Sequence, residues 1–153
     1  EAEKEEFNSC DEDFEDSVLK ILIVDDATSN RKLLRRLLEN RGHECDECED
    51  GHIAVEKVAA EDNATEPYDL VLMDYEMPTM NGPDAAAAIR RKGSDVFMVG
   101  VTGNMMPEDV DHYKMMGVNA VLPKPFKIKS LEDLCVEYHV VGNRKTKGQH
   151  VLH

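Results

Sequence analysis

Four short apolar runs, Leu19–Val24, Asp69–Met73, Val96–Val101 and Ala120–Leu122, punctuate the chain and predict strands. Between them, apolar positions recur at helical spacing. Leu33, Leu34, Leu37 and Leu38 form the first such stripe, with Arg35 and Arg36 on the outer side and a stop near Gly42, which predicts a core-facing helix. His43–Cys48 reads as a short second strand, and Ala54, Val55, Val58 and Ala59 as a second helix ending before the polar stretch 61–67. Gly82-Pro83 opens an alanine-rich third helix toward Lys92, with Gly93 near its end. Pro107 opens a fourth through about Met115, and Ser130-Leu-Glu-Asp133 has the form of a capping box for a fifth. Five βα units result. Right-handed crossovers make such a sheet parallel, with helices on both faces. The near-continuous apolar Leu19–Val24 and Val96–Val101 then fit central strands, and the polar His43–Cys48 fits an edge.

The chemistry-bearing residues fall at the strand ends. Asp25 and Asp26 follow the first run, Asp74 the third strand, Thr102 the fourth and Lys124 the fifth. In a parallel sheet these positions converge on the rim where open α/β folds bind ligands. Three carboxylates brought together repel one another unless a cation joins them, and a hard ion such as Mg2+ suits carboxylates plus a phosphoryl oxygen. A lysine adds a compact positive charge for a second phosphoryl oxygen, and a threonine hydroxyl can donate to a third. Acid, metal and phosphate form one coherent set.

The segments Leu22-Ile-Val-Asp-Asp26, Leu72-Met-Asp-Tyr-Glu-Met-Pro-Thr-Met-Asn-Gly82, Val101-Thr-Gly103 and Pro123-Lys-Pro-Phe126, in this order and spacing, resemble the receiver domain of two-component response regulators. The resemblance runs from about Leu19 to Tyr138. It implies a flavodoxin-like (βα)5 fold with strand order 2-1-3-4-5. It implies Asp74 as phosphoacceptor and Asp26 as a direct Mg2+ ligand, with Mn2+ as an allowed substitute. Asp25 would act through water or from behind the ligands, and the Glu76 backbone carbonyl would be a further ligand. Lys124 and Thr102 would hold phosphoryl oxygens. Glu76 and Asn104, two residues after Asp74 and Thr102, are candidate controllers of the phosphoryl lifetime. The Lys124-Pro125 bond is expected to be cis. Many receivers carry an aromatic residue three positions before the lysine; this chain has Val121 there, which predicts a muted or differently routed conformational response. Implied partners are a histidine kinase or a histidine phosphotransfer domain, and the resemblance allows weak self-association, to which no apolar stripe commits this chain.

Composition sets the surroundings of that domain. A chain of 153 residues, 41% hydrophobic, supports one core rather than two. Residues 1–17 carry nine acids and one lysine, and residues 139–153 carry three bases and no acid. Both read as solvated tails or linkers around a receiver at 18–138, with no strand or helix period of their own. A net charge of −14 argues against direct nucleic-acid binding. No apolar run is long enough to span a bilayer. The chain starts at Glu1 and reads as part of a longer polypeptide, most economically a hybrid histidine kinase, which could itself be membrane-attached. Catalysis by this chain alone would be limited to its own phosphorylation and slow dephosphorylation. Two other classes compete. An Mg2+-dependent phosphohydrolase forming an aspartyl phosphate would carry Asp-x-Asp, which Asp74-Tyr-Glu lacks. A phosphate-independent interaction module would have no need of the full acidic set.

Cys45-Asp-Glu-Cys48 has no second pair for a zinc site and opens no helix, so its thiols read as incidental and opposite-facing in a strand. With Cys10 and Cys135 they suggest a reducing, cytoplasmic setting. The eight methionines read mainly as core filling. No histidine has ligand spacing near the acidic rim; His150 and His153 lie in the tail.

Overall fold

The computed structural model describes residues 17–142 and the backbone of Arg144 and Lys145. Five parallel strands, β1 (Lys20–Val24), β2 (Glu44–Cys48), β3 (Leu70–Asp74), β4 (Phe97–Thr102) and β5 (Ala120–Pro123), form one sheet in the order β2-β1-β3-β4-β5. This is the expected flavodoxin-like order, with the polar β2 at an edge. Helices α1 (Thr28–Asn40), α2 (Gly51–Asp62), α3 (Gly82–Arg91), α4 (Pro107–Met116) and α5 (Ile128–Glu137) connect and follow the strands. Gly42 and Gly93, at φ 97° and 95°, lie just past the ends of α1 and α3, where a left-handed residue releases the chain from the helix.

Alternation along the strands builds two apolar layers. Leu22, Val24, Val71 and Met73 face Ala54, Val58, Ala86, Ile89 and Tyr113 on the α2–α4 side. Ile21, Ile23, Leu70 and Leu72 face Leu38, Leu131 and Cys135 on the α1–α5 side. The central strands β1, β3 and β4 are almost wholly apolar because both their faces are covered, whereas the edge strand β2 is polar. Cys48 and Cys45 join opposite layers, as a three-residue separation in a strand requires, and both are free thiols.

Several expectations need correction. The leucine stripe of α1 divides: Leu38 is 1% exposed, whereas Leu33 and Leu37 are 53% and 38% exposed. One residue along a helix turns the side chain by about 100°, so Leu34 and Leu38 meet the sheet and their neighbours face the rim. Ser130 does not cap α5. The helix starts earlier, with Lys127 as its boundary and no side-chain cap. Packing Ile128 and Leu131 onto the sheet outweighs one cap worth about 1 kcal/mol. Met73, Met77 and Met98 are buried, but Met105, Met106 and Met115 lie in the open around α4, because among the described residues no layer covers its outer side. Finally, Ser17–Val18 pairs antiparallel with Arg144–Lys145, where the sequence predicts no strand. Main-chain pairing over two residues leaves no hydrophobic period to read. Residues 1–16, with Cys10, and residues 146–153, with His150 and His153, lie outside the described residues.

The edge strand β2 is held by charge. Glu47, with a side chain only 9% exposed, meets Arg31 Nε at 3.2 Å, Lys32 Nζ at 3.1 Å and Arg35 Nη1 at 2.9 Å, all from α1. Burial alone would raise the Glu47 carboxyl; the three cations outweigh it and hold the group down at about 2.

Candidate functional site

The carboxyl ends of β1, β3, β4 and β5 bring the sequence-predicted residues to one rim. Asp25, buried just after β1, accepts the Ala27 N–H at 2.8 Å, while Arg31 Nη1 donates to its main-chain carbonyl at 2.6 Å. These bonds turn the chain sharply into α1 and leave Asp26 exposed at the mouth. Asp74, the last residue of β3, is 9% exposed. One ligand oxygen from each of Asp25, Asp26 and Asp74 lies within 4.8 Å of the others. Lys124 reaches over them, its Nζ 3.3 Å from Asp74 Oδ1 and 3.4 Å from Asp25 Oδ2. The Lys124-Pro125 bond is cis, as the resemblance implied.

Electrostatics follows from this crowding. Burial pushes the Asp74 carboxyl up, the Asp25 charge pushes it further, and Lys124 only partly opposes them. Burial alone would lower Lys124, but the two carboxylates outweigh it and raise its pKa, so the ammonium stays charged. Three acids facing one ammonium retain an excess of negative charge, and their oxygens could hold a hard metal ion.

A cleft opens from this cluster, lined by Asp26, Asp74, Glu76, Thr102, Asn104 and Lys124 among others. The Thr102 hydroxyl accepts the Asn104 N–H at 3.0 Å and donates to the Asn104 carbonyl at 3.3 Å. Asn104 borders the cleft with its side chain engaged at the start of α4: Oδ1 accepts from Met106 N at 3.0 Å and Nδ2 donates to Asp109 at 2.9 Å. Glu76 is exposed in the same cleft. Val121 stands apart, half-buried against the α2–α4 layer.

Sequence reasoning missed Asp50. This buried acid lies between β2 and α2, and its carboxylate accepts the N–H groups of Thr79 at 2.9 Å and Met80 at 2.8 Å. It thereby pins the loop that follows Asp74 and Glu76. Its only sequence signal is an acid before a glycine at a helix start, which reads as an ordinary cap. The side chain caps nothing locally.

Comparison with known proteins decides the family. A profile described as "Response regulator receiver domain" matches residues 21–135. The chain belongs to that family. This receiver domain is 34% identical over 125 residues to the two-component response regulator ORR41 of Oryza sativa subsp. japonica, covering 80% of this chain and 96% of that protein. It is 32% identical over 133 residues to the sensor protein EvgS of Escherichia coli K12, spanning 87% of this chain but only 11% of that protein. Among solved structures, the receiver domain of sensor histidine kinase PA1611 from Pseudomonas aeruginosa PAO1, which has magnesium coordinated in its active-site cleft, superposes with a TM-score of 0.69. It is 27% identical, over 80% of this chain and 98% of that one. Chemotaxis protein CheY4 of Vibrio cholerae superposes with a TM-score of 0.66 at 28% identity, over 82% of this chain and all of that one. The family places this receiver domain in two-component signalling, and among its described residues no helix is long and apolar enough to cross a membrane.

Proposed function

We propose that this receiver domain takes a phosphoryl group from a phosphohistidine onto Asp74 and passes the signal on by conformational change or onward transfer. The observation that carries this reading is the convergence of Asp25, Asp26 and Asp74 within 4.8 Å, with Lys124 Nζ 3.3 Å from Asp74 Oδ1. An Asp74 carboxylate oxygen attacks phosphorus in line. The new O–P bond forms as the P–N bond to the donor imidazole breaks, and the leaving imidazole takes up a proton from solvent. Lys124 meets charge developing on one equatorial oxygen, and the Thr102 hydroxyl, released from its loop carbonyl, meets another. Mg2+ held by Asp26, Asp74 and the Glu76 carbonyl, with Asp25 behind, would neutralise the carboxylates and the incoming phosphoryl group. Asp26 fits direct ligation, being exposed at the mouth, and Asp25 fits a supporting role, being buried and tied to Ala27 and Lys124.

The donor needs a surface beside the rim. An apolar groove lined by Leu33, Leu34, Leu37 and Phe126 also takes in Asp74 and Lys124. That continuity supports docking of an apolar helix face from a histidine kinase or histidine phosphotransfer domain, with its phosphohistidine over Asp74. The similarity to a short segment of a sensor protein supports a hybrid histidine kinase as the parent.

Incubation with acetyl phosphate and Mg2+, followed by intact mass, tests the reading. The parent chain gains one phosphoryl adduct, which chelation of Mg2+ prevents, and Asp74→Asn gains none. Equal adduct on both chains, or none on the parent with either acetyl phosphate or a phosphohistidine donor, refutes it.

A further inference from the structure

Val121 supplies no ring where many receivers have one, yet an aromatic side chain does pack beneath the site. Tyr113 of α4 is fully buried. Its hydroxyl donates to the Met73 carbonyl at 2.6 Å and lies 3.3 Å from the Asp74 carbonyl. The Tyr75 ring meets it nearly perpendicular, with centroids 5.0 Å apart. Two glycines make the seat: a Cβ on Gly100 of β4 would overlap the Tyr113 ring, and one on Gly82 would overlap its hydroxyl and the Asp74 carbonyl. Val121 borders the same apolar layer.

We propose that Tyr113 is a positioning residue for phosphoryl uptake, its hydroxyl fixing the Met73–Asp74 peptide and so the direction in which the Asp74 carboxylate leaves the strand. The inference rests on Asp74 being the phosphoacceptor. In-line attack tolerates little misplacement, and the peptide preceding Asp74 sets the backbone from which its side chain projects. A buried hydroxyl has no water to exchange with, so its bond persists unless α4 itself moves. The same contact joins α4 to the phosphoacceptor by a route that does not use Val121. Tyr113 therefore gives a change at Asp74 a second way into that helix, besides the one from Thr102 through Asn104 to Met106 and Asp109.

Tyr113→Phe keeps the ring and removes only the hydroxyl. Parent and variant are compared in the rate of adduct formation with acetyl phosphate and Mg2+, in Mg2+ affinity followed by the amide resonances of Asp74 and Tyr75, and in thermal melting. The variant is expected to form adduct roughly threefold to tenfold more slowly, well below both melting transitions. A merely structural hydroxyl would lower the melting temperature and leave rate and Mg2+ affinity at parental values; that result overturns the inference. If the parent forms no adduct with acetyl phosphate or with a phosphohistidine donor, the phosphoacceptor reading fails by itself. Equal Mg2+ affinities would then overturn the role of Tyr113 too, whereas weaker affinity in the variant would sustain it as a positioner of the Asp74 carboxylate.

Discussion

Asp50→Asn removes one charge while keeping the side chain's shape, and so isolates how the loop after Asp74 is held. Asp50 is 4% exposed, and its carboxylate accepts from Thr79 N and Met80 N and lies 3.1 Å from His52 Nδ1. Burial alone would raise this carboxyl; the Thr79 and Met80 N–H groups and His52 outweigh it and hold it at about 2, against an ordinary 3.8. The folded pKa lies below the unfolded one. The contribution of the charge is therefore complete above the unfolded value and is lost as pH falls through the folded value. At about 1.4 kcal/mol per pKa unit, this amounts to about 2 kcal/mol near neutral pH and roughly half as much near pH 3. Asparagine resembles the protonated acid, so the variant should be less stable than the parent by those amounts. Urea unfolding followed by far-UV circular dichroism, on both chains at each pH, measures the gap, and the difference cancels other carboxylates such as Glu47. A gap under about 0.5 kcal/mol near pH 7, or one that stays constant down to about pH 3, would refute the reasoning.

Leu38→Ala should destabilise the fold by about 2–5 kcal/mol, because the side chain is sealed between α1 and the sheet. Leu33→Ala and Leu37→Ala should each lose under about 1 kcal/mol, since both are already substantially exposed, yet slow transfer from a phosphohistidine partner more than transfer from acetyl phosphate. Denaturant midpoints and the two transfer rates check both halves, and equal slowing with both donors would count against the groove as a docking surface. Mg2+ should raise the melting temperature by relieving repulsion among Asp25, Asp26 and Asp74, and Asp26→Asn should lose most of that increment. A melting scan with and without Mg2+ decides it; an undiminished increment in the variant would place the ion elsewhere.

The sequence by itself determined four apolar strands and a polar edge strand, the glycine-marked helix ends and the residues standing at the strands' carboxyl ends. These are local properties: a strand covered on both faces must be apolar throughout, and a residue just beyond it must lie on the rim. Asp25, Asp26, Asp74, Thr102 and Lys124 were legible because a parallel sheet brings equivalent strand ends together whatever the connecting loops do. Only the tertiary structure decided which leucines of α1 are buried, because a two-column apolar stripe fits both a core face and a half-open groove. It alone joined Asp50 to Thr79 and Met80, about thirty residues away, and Tyr113 to Met73, forty residues away. Such bonds link single groups across the fold and leave no period in either segment. Glu47 likewise reads as a solvated charge on a polar strand until α1 lays Arg31, Lys32 and Arg35 against it. Periodic burial is written along the chain, whereas one-to-one polar contacts exist only once distant segments have packed.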